Sequence, residues 1–175
     1  MRWMWIDTVT AFEDGVRMEA VKNLSLSEEL FHDHFDGEED GLPPEPVMPG
    51  SLMVEGMAQT AGILVGSVNR FREKVVLAKV SKVEIDEDAS PGQTLRYEAE
   101  IERMDAVGAS TRGVVRRLDH ADGVWREIGR IDLIFSHLDN NTGGREFPEH
   151  NFVFGDNFKQ ILVSAGLDRL FDDAS

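Results

Sequence analysis

The chain has 175 residues, no cysteine, 41% hydrophobic and 29% charged residues, and a formal net charge of -15. That length suits one domain with a sizeable core, and the lack of cysteine excludes disulfides, thiolate-bound metal centres and cysteine nucleophiles. The acidic balance argues against binding a phosphate backbone or an anionic membrane surface, which clustered lysine and arginine would serve.

The opening MRWMWIDTV meets Asp7 before any apolar run suited to a signal peptide. The uncharged stretch 56–69 is shorter than the roughly 20 apolar residues of a membrane span, so a cytoplasmic protein is the default expectation. Residues 6–12 read as a strand, EDG at 13–15 as a turn, and 16–24 as a second strand. SLSEEL offers a serine with glutamate close behind it, enough for one helical turn. A loop rich in Asp, Glu, Gly and Pro then runs over 32–49.

Residues 51–69 form the one long helix that the pattern predicts. Leu52, Met53, Val54, Met57, Ala58, Ala61, Ile63, Leu64, Val65 and Val68 cover its circumference and leave no solvent face. Gly56, Gly62 and Gly66 would each weaken it by about 1 kcal/mol relative to alanine, unless an enclosing sheet packs against the backbone. Glu55 is its one charged residue.

After Arg70 the apolar period falls to two. A strand is expected over 80–87, SPG at 90–92 turns the chain, and Leu95, Tyr97, Ala99 and Ile101 alternate with charged residues as a half-buried strand. Strands over 111–118 and 124–135 flank DHADG, a hairpin signal. The sum is an α+β domain, a curved antiparallel sheet of about six strands wrapped around a central helix. The domain is expected over 1–139. Residues 140–175 form an extension that starts as a loop and ends in a helix capped by Asp156, with Phe158, Ile161, Leu162, Ala165 and Leu170 on one stripe.

HDHFDG, EPVMPGSLMVEGMAQTAGIL and SPGQTLRYEAEI, together with the opening WIDTVTAFEDGVRMEAVKNLSL, resemble the 3-hydroxyacyl-acyl carrier protein dehydratases, enzymes of hotdog fold. The resemblance covers residues from about 6 to about 138. It implies dehydration of (3R)-3-hydroxyacyl thioesters to trans-2-enoyl thioesters in fatty acid or related lipid synthesis, with no cofactor and no metal. It also implies an acyl carrier protein bearing the substrate, and a homodimer or trimer of dimers in which the sheets of two chains join.

By the same resemblance His34 is the catalytic histidine and Glu55 the catalytic carboxylate, taken from opposite chains, while Gly50 offers a backbone N–H to the substrate carbonyl. Imidazole is neutral yet basic near pH 7, which suits a base at C2. Desolvation favours the protonated form of an enclosed carboxylate, which suits an acid for the departing hydroxyl. Amides at the helix start, from Gly50 and Ser51, suit an enolate oxygen. Gln59, one turn beyond Glu55, either orients that carboxylate or makes a plain core hydrogen bond.

The other polar residues read more plainly. His32, His34, Asp33, Asp36, Glu38 and Glu39 match no metal-ligand spacing and read as a solvated loop. His120, His137 and His150 read as surface residues, and Trp3, Trp5 and Trp125 as packing. The loop before the helix is lengthened by EEDGLPPE, and VEIDEDASPG is acidic where the family carries basic residues that engage the carrier protein. Arg70, Arg72 and Lys74, or Arg112, Arg116 and Arg117, are the candidates to replace them. A hotdog acyl thioesterase and a non-catalytic acyl-binding subunit are the alternative readings.

Overall fold

A computed structural model describes residues 3–32, 44–138 and 154–171. Six strands form one antiparallel sheet: β1 (Thr8–Glu13), β2 (Arg17–Asn23), β3 (Lys74–Ile85), β4 (Gln93–Met104), β5 (Gly108–Asp119) and β6 (Val124–Leu138), in the order β1-β2-β4-β5-β6-β3. The helix α1 (Gly50–Val68) lies on its concave face, and a short helix α2 (Asp156–Ser164) packs near its rim. This is the expected hotdog arrangement.

Strand inheritance follows side-chain alternation. In β4, Leu95, Tyr97 and Ala99 are buried, while Arg96 and Glu98 face outward and pair at 2.7 Å. Arg96 also lies 4.5 Å over the Trp125 ring. The strands run further than their alternation suggested. β3 starts at Lys74 rather than near residue 80, because pairing with β6 (Lys74↔Leu138 to Ile85↔Gly129) holds residues that carry no alternating pattern.

The helix is enclosed as expected. Every residue from Gln59 to Ser67 is buried, and the first turns are buried or half-buried except Ser51. Gly56 shows why glycine sits in its interior. A Cβ there would lie 2.4 Å from Tyr97 Cζ and 2.5 Å from its Oη, so the ring on β4 packs directly onto the helix backbone. Among the described residues α1 is the one helix long and apolar enough to cross a membrane by length and composition, but 67% of that window is buried inside the protein. Its apolar character serves the core.

The single turn expected in SLSEEL is a 3-10 turn, Glu29–Phe31, which buries Phe31. Two expectations need correction. Asp156 does not cap α2: Gly155 is the N-cap and makes no side-chain cap bond, so Asp156 is the first helical residue. There its carboxylate still suits the positive end of the helix dipole. His137 is not a surface residue. Its position on β6 puts it on the same face as Leu133 and Phe135, its side chain is 6% exposed, and Nδ1 lies 3.0 Å from Glu73 Oε2.

Candidate active site

The N-terminal segment is tied down before it reaches the helix. The Asp7 amide donates to Val21 O at 2.7 Å, and Asp7 Oδ2 accepts from the Asn23 amide at 2.7 Å. Lys22, buried, pairs with Asp7 at 3.3 Å and with Glu28. This anchoring brings Trp3 and Trp5 onto α1, edge to face at 5.5 Å between ring centroids.

Three groups converge there. The Trp5 amide donates to Gln59 Oε1 at 2.9 Å. Because a backbone N–H can only donate, this bond settles the orientation of the Gln59 amide and leaves its NH₂ as a donor. That NH₂ donates to Glu55 Oε1 at 2.9 Å and to Trp3 O at 3.3 Å. The Trp3 indole Nε1–H donates to the same Glu55 oxygen at 3.1 Å. Oε1 therefore has two donors, and among the described residues none reaches Oε2.

Glu55 opens on a cavity of about 420 Å³, within the usual size range of small-molecule sites. Glu55, Ala58, Gln59 and Gly62 line it along one face of α1, with Val75 and Leu77 from β3 and Phe135 from β6 opposite. Among its described lining residues Glu55 is the one charge. Ser51, four residues before Glu55, continues the same row and is exposed at the helix start. Gly50 is the first helical residue; Pro49 is the N-cap and offers the amides that follow no side-chain cap.

Family comparison decides what this arrangement belongs to. The model of the FabA-like domain matches residues 2–120. The chain belongs to the FabA-like family. Two relatives bearing the name 3-hydroxyacyl-acyl-carrier-protein dehydratase FabZ place this FabA-like chain further. One, from Halalkalibacterium halodurans, is 34% identical over 135 residues, covering 77% of this chain and 87% of the relative. Another, from Clostridium tetani, is 33% identical over 112 residues, covering 63% and 74%. Solved structures resemble it in fold. An acyl-CoA hydrolase variant from Staphylococcus aureus, with coenzyme A, has a TM-score of 0.55 at 15% identity, covering 90% of this chain and 80% of that one. A thioesterase family protein from Silicibacter pomeroyi also gives 0.55 at 15%, covering 74% and 82%.

The FabA-like chain thus brings Glu55 and Gln59 together, with Ser51 in the same helical row and Gly50 at the helix start. His34 and the acidic loop around it lie outside the described residues. Reading the sequence missed Trp3, which is 58% exposed and bonded to Glu55 rather than simply packed. Nothing in its spacing pointed there. It also missed Phe154 and Phe158, which line the cavity from the C-terminal extension.

Four of the candidate carrier-protein arginines are already in ion pairs: Arg70 with Asp14, Arg112 with Glu102, Arg116 with Glu98 and Arg117 with Glu87. One further titration is set by the packing of the site's helix. Burial, and then the nearby Asp7 charge, push the Tyr97 phenol well above its ordinary value.

Proposed function

We propose that this chain eliminates water from (3R)-3-hydroxyacyl thioesters carried by an acyl carrier protein, giving trans-2-enoyl thioesters in fatty acid or related lipid synthesis. Family membership supports the reaction. The observation that carries the site is Glu55: among the described residues it is the one carboxylate lining an apolar cavity, with one oxygen held by two donors and the other by none.

His34 takes the proton from C2 of the substrate. The electrons of that C–H bond pass into an enolate whose oxygen is held by the Gly50 and Ser51 amides at the positive end of α1. They return to form the C2–C3 double bond as the C3–O bond breaks. The departing hydroxyl takes the proton of the Glu55 carboxylic acid and leaves as water. Transfer of the proton from His34 to Glu55 then resets the pair. Gln59 and Trp3 position the acid by occupying Oε1, so that Oε2 exchanges the proton.

A second copy belongs to this reading. β3 is a twelve-residue strand at the edge of the sheet, with Leu77, Val80 and Val83 exposed by 42%, 40% and 44%. A long apolar edge of this kind invites a further strand. Two chains joining through β3 would let His34 of one serve Glu55 of the other. The division into a catalytic domain over 1–139 and an extension over 140–175 is part of the same proposal.

Dehydration of a 3-hydroxyacyl carrier protein by the purified full chain tests it. His34→Ala and Glu55→Gln should each lower kcat by about 10²–10⁴, and wild-type rates in either would end the assignment of that residue. Release of free thiol in place of enoyl product would favour a thioesterase, and binding without turnover an acyl-binding subunit.

A further inference from the structure

The cavity beside Glu55 has a wall that the FabA-like match, ending at residue 120, does not include. Along α1 its lining runs through Glu55, Ala58, Gln59 and Gly62. One turn further stands Gly66, where the face is taken by an aromatic ring. A Cβ on Gly66 would lie 2.6 Å from Phe154 Cζ and 3.0 Å from Phe71 Cδ1. The rise per residue puts that point roughly 16 Å along the helix axis from Glu55.

Phe154 is held firmly there. It is buried and packs on Phe71 at 4.8 Å between centroids; Phe71 stacks on Phe171 at 5.2 Å, and Phe158 meets Phe154 edge-on at 6.3 Å. Phe71 adopts a left-handed backbone conformation with φ 55°, directly after Arg70 at 52°. For residues with a Cβ that conformation costs roughly 1–2 kcal/mol each. The chain accepts it twice in succession where doing so turns Phe71 under Phe154. Ile161 and Leu162 of α2, with Leu167 and Leu170 after it, are buried and fasten the extension to the body.

We infer that the C-terminal extension closes the far end of the acyl cavity, and that Phe154, backed by Phe71 and Phe158, sets the upper limit on acyl-chain length. Glu55 marks the reacting end and the aromatic cluster the blind end. The length of chain that fits between them is then a property of this extension. This rests on the dehydratase reading for the identity of the ligand as an acyl thioester.

The test has two arms, both run on the full chain with 3-hydroxyacyl coenzyme A thioesters from 3-hydroxybutyryl to 3-hydroxyhexadecanoyl. In the first, kcat/KM is measured across the series for wild type, Phe154→Ala and the better-packed Phe154→Leu. Wild type should fall off above a certain length. Phe154→Ala should raise the long-to-short ratio by about tenfold or more, the scale of discrimination that added methylenes meet in an apolar pocket, with Phe154→Leu between.

In the second arm, binding of saturated acyl-coenzyme A thioesters is followed by calorimetry, with circular dichroism confirming that each variant is folded. A cut-off that moves in binding without turnover in any variant would sink the dehydratase reading and keep this one. Turnover or binding with the same cut-off in folded Phe154→Ala and Phe154→Leu would overturn the extension's role. Should Phe154→Ala fail to fold, Phe154→Leu and Phe158→Ala decide it by the same ratio.

Discussion

Trp3 and Glu55, 52 residues apart in sequence, are joined by a 3.1 Å hydrogen bond from the indole Nε1 to the same carboxylate oxygen that Gln59 holds at 2.9 Å. The segment before β1 is thus part of the acid's setting. Trp3→Phe keeps the ring and removes the donor. On a 3-hydroxyacyl thioester it should lower kcat by roughly tenfold, equivalent to about 1.4 kcal/mol, with less effect on KM. Unchanged kcat would show that Gln59 alone positions Glu55.

At Gly56 the Tyr97 ring packs directly onto the helix backbone. Gly56→Ala gains helix propensity of about 1 kcal/mol but forces a methyl into the Tyr97 ring. Overpacking of this kind costs typically about 1–3 kcal/mol, so a net loss is expected. Urea denaturation should show a lower midpoint with an unchanged slope. A more stable variant would mean that the ring yields freely.

The hydroxyl of Tyr97 is buried and has no hydrogen-bond partner among the described residues. Leaving such a group unpaired costs about 1–3 kcal/mol, so Tyr97→Phe should be neutral or stabilising in thermal denaturation. Its titration adds a pH signature. The folded-state value is raised, so the stabilisation is complete below the unfolded value of about 10 and is lost as pH rises from there toward the folded value. Wild type should therefore lose stability above about pH 10 by up to 1.4 kcal/mol per pH unit more than Tyr97→Phe. Parallel curves for the two proteins would refute the burial of that hydroxyl.

Val80 and Val83 test the edge of the sheet. Paired Val80→Lys and Val83→Lys substitutions place charge on a strand that is already exposed, so the fold of one chain should survive. Sedimentation should then report a monomer in place of a dimer. Activity should fall in step with dissociation, because each site would lose the partner's histidine. A monomeric wild type, or a monomeric variant at full activity, would separate the site from any second copy.

Much of the architecture was legible in local patterns. The alternation of Leu95, Tyr97 and Ala99 marks β4, and the apolar circumference around Glu55 marks a helix that must be enclosed. The i, i+4 spacing of Glu55 and Gln59 already put the carboxylate and its amide partner on one face. Strand ends were less legible. The start of β3 at Lys74 depends on its hydrogen-bonded neighbour β6, which is far away in sequence. His137 was misread because that strand was expected to end at residue 135; β6 runs on to Leu138, which carries His137 onto the face of Phe135, where the sequence-distant Glu73 meets it.

By itself the sequence determined the elements, the family motif and the one carboxylate on an apolar helix, because each is written in spacings of a few residues. Only the tertiary structure decided what lines the cavity beside that carboxylate: the Trp3 indole, from near the start of the chain, at Glu55, and Phe154, from the C-terminal extension, packed at Gly66. Such meetings are chosen by packing between surfaces that local periodicity cannot address. The setting of the acid and the closing of the cavity could be seen only after the chain had folded.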